Sequence, residues 1–344
     1  MTESALAYDD YGDRGDYGGD QEAAPPRRRR RRGVTVFLAL LVVLLFAVCV
    51  LRLGSVDGNF ITVGVLALTP YIAGYGLVVA LLALVLRRKV LFVLALVGAL
   101  SLGVLLVPRL LPDGDPIPGG QRVRLLSANL MIGRADPAAL VSLVRDARVD
   151  VLTLQELTPE SMNALDAAGI DRLLPYRVVR ALPGSAGSAI LARVPLRQIV
   201  LVDDPVLENP AAVVDLSGSV DIEVVSVHTV PPVMSDGDRK RWQNEILSLP
   251  GPDSTGRPRV LAGDFNATLD HGALNGLLDR GYRDGAELVG EGLRPTWVSP
   301  RGYLPPVTID HVLVDKRIGV TTVSVYSLPG SDHNAVFSEL ALPR

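Results

Sequence analysis

The sequence predicts an α/β domain of stacked sheets covered by helices, carried behind three transmembrane helices. Three observations predict it. Three apolar runs without a charged residue lie between residues 34 and 107. Beyond them, short apolar strands come in runs, with helices between only some of them. The 344 residues are 48% apolar with a mean hydropathy of +0.31, longer than one core needs and more apolar than a uniformly soluble chain.

Residues 1–33 show no apolar periodicity: Asp, Gly and Tyr recur from Tyr8 to Asp20, and Pro25-Pro26 leads into Arg27–Arg32. Such a segment buries too little to offset chain entropy and reads as a disordered cytoplasmic tail. The arginine run suits nucleic acid or acidic lipid, but directly before an apolar run it reads better as a topology signal. The transmembrane region, 34–107, holds spans at 34–51, 60–86 and 90–107, of 18, 27 and 18 residues. None shows a polar face at helical period. With Arg27–Arg32 and Arg87-Arg88-Lys89 both cytoplasmic, three crossings give a multi-pass cell-membrane protein with an extracytoplasmic C-terminal domain. Residues 108–121, with four Pro and three Gly, read as a linker to a domain at 122–344.

In that domain, strands are expected at 123–128, 149–154, 178–179, 188–192, 198–202, 212–215, 221–228, 259–262, 308–314, 320–327 and 335–340. Helices are expected at 136–148, where Asp136 supplies the N-cap and Pro137 the first turn, and at 159–168, 238–249 and 270–280. The single cysteine, Cys49, lies in an apolar run, which excludes a disulfide scaffold, and four histidines cannot build several structural zinc sites. From Pro108 onward lie 23 of the 34 basic and 29 of the 37 acidic residues, a charge of −6 that argues against clamping a polyanion.

Polar groups collect at strand ends. They are Asn129, Gln155-Glu156, His228-Thr229, Gly263-Asp264-Phe265-Asn266, Asp310-His311 and Ser331-Asp332-His333. Ligand sites in α/β sheets commonly lie off strand ends. Singly each has a plain explanation: Glu156 a solvated loop residue, Asn129 a turn residue, Asp264 and Asn266 caps for the next helix, His228 and His333 satisfied core histidines. His311 alternates with Asp310 and is expected on the opposite face of its strand, in a structural role. The basic residues Arg239, Lys240 and Arg241 read as a solvated helix face before a phosphate contact.

In order, Ser127-Ala128-Asn129, Leu154-Gln155-Glu156, Ser226-Val227-His228-Thr229, Gly263-Asp264-Phe265-Asn266, Thr296-Trp297, Ile309-Asp310-His311 and Ser331-Asp332-His333 resemble the endonuclease/exonuclease/phosphatase superfamily, as does Gly187–Leu196 its central strand. The resemblance covers about residues 122–341 and none of the membrane section. It implies a four-layer α/β sandwich, two mixed sheets face to face with helices outside. It also implies a metal-dependent phosphoric ester hydrolase of the nuclease/phosphodiesterase class. Mg²⁺, with Mn²⁺ as substitute, would be held by Glu156 and Asn129, with Asp332 completing the shell. Asp264 would take the proton from an attacking water that Asn266 orients; Asp310 would hold His333 as an imidazolium facing the phosphoryl oxygens, with His228 a second donor. Trp297, with Thr296, would contact substrate; a packing lid is an equal reading of Trp297.

The substrate is expected to be a phosphodiester. Family habit puts a nuclease ahead, whereas a sphingomyelinase-like lipid or small-molecule phosphodiesterase suits the anchor and the −6 charge. A catalytically inactive anchored binding module is the third reading. Partners are the substrate, nucleic acid or lipid headgroup, and the bilayer; no obligate protein partner is evident.

Overall fold

The computed structural model describes residues 27–113, 120–203, 205–217, 220–232 and 235–344, with the backbone alone for 27–31. Most of the tail expected to be disordered, 1–26, lies outside the described residues, as does 114–119 of the linker. The chain starts as α1 (Arg27–Leu53), α2 (Phe60–Ala67), α3 (Thr69–Val85) and α4 (Lys89–Leu106), followed by a 3-10 turn at Val107–Leu110. The arginine run belongs to α1 rather than to the tail, since arginine is a good helix former and the span behind it supplies the nucleus.

Two helices, Arg32–Leu53 and Lys89–Leu110, are each 22 residues long and apolar, about 33 Å at 1.5 Å per residue. They are candidate spans. The middle run expected as one span over 60–86 is not one helix. It breaks at Leu68 with a bend of 69° between α2 and α3. Pro70 in the first turn of α3 has no N–H to extend the ladder of α2. Asn59 and Thr62 form a capping box that starts α2 independently.

The domain then runs β1 (Arg122–Asn129), α5 (Pro137–Asp146), β2 (Val151–Gln155), α6 (Pro159–Ala167), α7 (Ile170–Leu173), β3 (Tyr176–Arg180), β4 (Ser188–Ala192), β5 (Leu196–Ile199), β6 (Ala211–Val214), β7 (Ile222–His228), α8 (Asp236–Ser248), β8 (Arg259–Asp264), α9 (Gly272–Leu278), β9 (Tyr282–Asp284), α10 (Gly285–Leu288), β10 (Asp310–Asp315), β11 (Gly319–Ser327) and β12 (Asn334–Ala341). Two mixed six-stranded sheets result, β11-β12-β1-β2-β4-β3 and β5-β6-β7-β8-β10-β9. The expected α/β sandwich is the fold. The short elements α7, β9 and α10 carry too little periodicity to be read from sequence.

Alternation along the strands sets the layers. Val123, Leu125, Val151, Val224, Val260 and Val312 meet between the sheets. Their neighbours point outward: Leu126, Leu152 and Leu154 pack with Leu140 of α5 and Met162 of α6, while Val225, Leu261 and Leu313 pack with Trp242 of α8 and Leu274 of α9. Strands β2, β4, β6, β8 and β10 are therefore buried on both faces and read as continuous apolar runs.

The apolar helices are fixed to this domain. Asp270 accepts Arg109 through both oxygens, at 2.8 and 2.9 Å, and Arg52 Nε at 2.7 Å; both guanidinium groups also donate to the Leu269 carbonyl. One buried carboxylate thus ties the C-terminal ends of α1 and α4 together, so these helices run parallel and α3 returns between them. The α1–α2 loop is docked too. Asp57 accepts the Ala273 N–H in the first turn of α9, and its carbonyl accepts Arg239 Nη1. Arg239 is buried there, neither solvated nor facing a phosphate. Asp270→Ala strands the buried Arg109 guanidinium and the partly buried one of Arg52 and should cost about 3–5 kcal/mol. By contrast, Glu291→Ala, which breaks an exposed pair with Arg294, should change stability by about 0.5 kcal/mol or less. The thermal midpoints of the detergent-solubilised chain report both.

Candidate functional site

Parity brings the site together. Val123 and Leu125 of β1 face the other sheet, so Ser127 and Asn129 do too; the same count places Gln155, Ser226, His228, Asp264 and Asp310 between the sheets. Direction puts them at one rim. The parallel pairs β1/β2 and β7/β8 end there, while β10 and β12, antiparallel to β8 and β1, begin there. Asp264 pairs with His228 on one side and Asp310 on the other, three ionisable groups across adjacent strands. Gly263 lets those strands close, because a Cβ on it would lie 1.9 Å from the Val227 carbonyl oxygen. His311, one residue out of phase, points into the helix layer. Its Nδ1 lies 2.8 Å from Asp284 and its Nε2 2.8 Å from the Ala267 carbonyl, a structural imidazolium.

Asp264 is the centre of the cluster. Its Oδ1 accepts the Asn266 N–H at 2.8 Å and its Oδ2 accepts Asn129 Nδ2 at 3.1 Å. Oδ2 also lies 3.7 Å from His333 Nε2 and 3.9 Å from His228 Nε2. Glu156 stands beside it. One oxygen accepts Asn129 Nδ2 at 3.3 Å and lies 3.9 Å from His228 Nε2; the other accepts the Ile132 N–H at 2.7 Å. Asp310 receives His333 Nδ1 on both oxygens, at 3.1 and 2.9 Å, leaving Nε2 directed at Asp264.

Burial pushes the Asp264 carboxyl up to about 6, aided by the Asp310 charge and opposed by the two imidazoles. Burial alone would lower His333, but Asp310 and Asp264 outweigh it and hold the imidazole protonated, up to about 10. Burial lowers His228, which is therefore neutral, and the two carboxylates before Nε2 favour its proton there. Glu156 is raised by burial despite the hydrogen bonds from Asn129 and Ile132.

The remaining expected residues occupy distinct places. Trp297 lines the cleft and donates Nε1 to Asp332 Oδ2 at 3.0 Å. Asp332 borders the same cleft and its charge acts on Glu156. Thr296 is buried behind it, its hydroxyl accepting the N–H groups of Ile309 and Asp310 at 3.0 and 2.9 Å, so it positions Asp310. The Asn266 amide donates to the Thr229 carbonyl, and its φ of 47° turns the chain away from β8. Met131, Ile132 and Glu156 share that left-handed conformation, at 47°, 54° and 55°. These four non-glycine residues all border the cleft, each at a cost of about 1–3 kcal/mol that the surrounding packing must hold.

Sequence reading missed three supports. Asn209 pins the end of β7, accepting the His228 N–H at 2.8 Å and donating to its carbonyl at 3.1 Å. Gln155, read only as a strand-end amide, reaches across the sheets to Ser226 Oγ at 2.9 Å, and Ser226 meets Ser188 at 2.8 Å. His271 accepts the Thr268 N–H and faces the Val63 carbonyl of α2 at 2.9 Å. Gln155 carried a signal in its strand phase; Asn209 and His271 carried none.

The donor set suits a divalent cation. Carboxylates of Glu156, Asp264, Asp310 and Asp332 share the site with one imidazolium, and burial disfavours ionisation of Glu156 and Asp264, so the cluster lacks positive charge. Ligand atoms of Asp264, Asp310 and His333 lie within 4.8 Å of one another. His333, however, is protonated and held by Asp310, so among these groups Glu156, open to the cleft, is the better cation ligand.

The sequence pattern of the Endonuclease/Exonuclease/phosphatase family matches residues 126–333, more than half of the chain. No curated protein matches in sequence. Among solved structures, a humanised D. rerio TDP2 with 14 mutations superposes with a TM-score of 0.51 at 18% identity, over 64% of this chain and 98% of that one. The 3'-5' exonuclease NExo of Neisseria meningitidis gives 0.48 at 21%, over 64% and 100%. Sphingomyelinase C of Streptomyces griseocarneus gives 0.45 at 16%, over 64% and 99%. With the matched strand-end series converging on one rim, the chain belongs to the Endonuclease/Exonuclease/phosphatase family, whose members are metal-dependent phosphoric ester hydrolases.

Proposed function

We propose that the chain is a membrane-anchored phosphodiesterase in which Asp264 is the general base. The observation that carries this is the pairing of a carboxylate raised to about 6 with an imidazolium held near 10, 3.7 Å apart and facing one cleft. Asn129 and Asn266 fix the orientation of Asp264. A water between Asp264 and the substrate phosphorus gives its proton to the carboxylate as its oxygen bonds to phosphorus. The P–O bond to the leaving group breaks, and the leaving oxygen takes a proton from solvent. His333 and His228 donate hydrogen bonds to the phosphoryl oxygens, where charge builds in the transition state. Glu156, with Asn129 and Asp332, would hold Mg²⁺ or Mn²⁺, which when bound polarises the phosphoryl oxygens. Trp297 would pack against the substrate beside them. An inactive module would have no use for a raised base facing an imidazolium.

We infer that the site lies outside the cytoplasm. What supports this is Asp270: it joins the ends of α1 and α4, so the two candidate spans run the same way, and a return through α3, 17 residues or about 25 Å, would put the domain and Arg27–Arg32 on opposite sides.

Asp264→Asn should lower hydrolysis of methyl p-nitrophenyl phosphate by about 10²–10⁴-fold with the fold intact by circular dichroism; wild-type turnover in that variant overturns the assignment. Chelation should abolish turnover, Mg²⁺ or Mn²⁺ should restore it, and Glu156→Gln should raise the metal concentration required. Asp264 must be ionised and His333 protonated, so kcat/KM should rise with pH through about 6 and fall through about 10. Protease added to intact cells should remove residues 122–344; full protection there reverses the orientation.

A further inference from the structure

The catalytic cluster occupies one end of a cavity of about 820 Å³, and the rest of that cavity is apolar. Part of its wall comes from α2 and its C-cap, through Ile61, Gly64, Val65 and Leu68, together with Leu304 and Pro305. Helix α2 lies outside the family match, so this wall is not part of the shared domain. It contains no charged residue, yet it is held firmly: Val63 is buried in the α8–α9 core, its carbonyl faces His271, and Asp57 anchors the preceding loop. Ile61 and Leu304 remain 62% and 52% exposed at the cavity, an apolar surface kept open beside charged groups.

Charge narrows the occupant. No Lys or Arg is among the described residues lining the cavity, so nothing there tracks a polyanionic backbone. The wall continues through the bend at Leu68 into α3, whose outward side chains Leu77, Val78, Leu81 and Leu82 are exposed and apolar like those of α1 and α4. With α3 in a bilayer, a chain leaving the cavity past Leu68 would run onto an apolar face.

We propose that α2 forms a tail-binding subsite and that the substrate is an amphiphilic phosphodiester, its phosphate at the Asp264–His333 end and its hydrocarbon chain along α2. This rests on the phosphodiesterase reading and adds the chemical class of the substrate. Gly64 allows a clean test, because a Cβ there meets nothing within 4 Å and the substitution removes a helical glycine. The full chain, held in micelles of dodecyl maltoside, which carries no phosphate, is given hexadecyl and methyl p-nitrophenyl phosphates, which differ only in the tail. The ratio of their kcat/KM values should fall about tenfold in Gly64→Gln, where a polar amide meets the tail, and hold in the similarly sized Gly64→Leu. An unchanged ratio in Gly64→Gln, or an oligothymidylate cleaved with higher kcat/KM than the hexadecyl ester, overturns the subsite. Cleavage of neither ester would sink the phosphodiesterase reading instead. The subsite is then decided by hexadecylphosphocholine binding, read from the change in tryptophan emission, since Trp297 lines the cavity and Trp242 is buried away from it: Gly64→Gln should weaken it about tenfold, and equal affinity refutes the subsite.

Discussion

A carboxylate buried without a full counter-charge governs this molecule. Asp264 is 2% exposed, and the nearest positive charge, His333, lies beyond direct hydrogen-bond reach of it. Ionising such a group is costly unless its neighbours compensate, and the neighbours are arranged to do so only in part. Two N–H donors hold its oxygens, while Asp310 adds repulsion and also charges His333. The result is a base poised to accept a proton. The sheets exist in the right relation for this because Gly263 lets β8 close on β7 and because Gln155 and Ser226 tie the layers behind the cluster.

Bending the middle apolar run changes what residues 60–86 do. As one straight helix, residues 60–86 would only anchor. With a break at Leu68, the first half leaves the bundle and becomes a wall of the catalytic cavity, while α3 still returns between α1 and α4. That wall needs a fixed position, and Asp270 supplies it by joining Arg52 and Arg109, residues 57 positions apart in sequence, onto the loop that leads into α9. The apolar helices and the strand-end cluster are in this way one mechanical unit.

The domain was readable in the sequence because its strands are buried on both faces and end in polar residues that have no packing role there. Period-two alternation was enough to send His311 and Asp310 to opposite faces, and Asp136 and Pro137 announced α5. The break at Leu68 was harder to see: Pro70 was present, but a run of 27 uncharged residues gives no amphipathic contrast by which to notice a change of partner. His271 and Asn209 were illegible for another reason. Each acts on backbone brought near by tertiary folding, the Val63 carbonyl and both polar groups of His228, and no local pattern encodes that. Thr296 belongs with them, since its place in a motif beside Trp297 suggested substrate, whereas its hydroxyl serves the backbone under Asp310.

The arginines explain why the cavity is left to histidine and a cation. Arg52 and Arg109 are committed to Asp270, Arg239 to the Asp57 carbonyl and Gln243, Arg259 to Glu223, and Arg317 to Asp315. A guanidinium carries its charge at any relevant pH, and those near the site are held in structural pairs instead. In the proposed reading, an imidazolium charged by Asp310 and a divalent ion at Glu156 would concentrate their effect at the phosphoryl oxygens and leave the rest of the cavity free of charge. That division, charge at one end and hydrocarbon at the other, matches the two-ended chemistry of an amphiphilic phosphodiester.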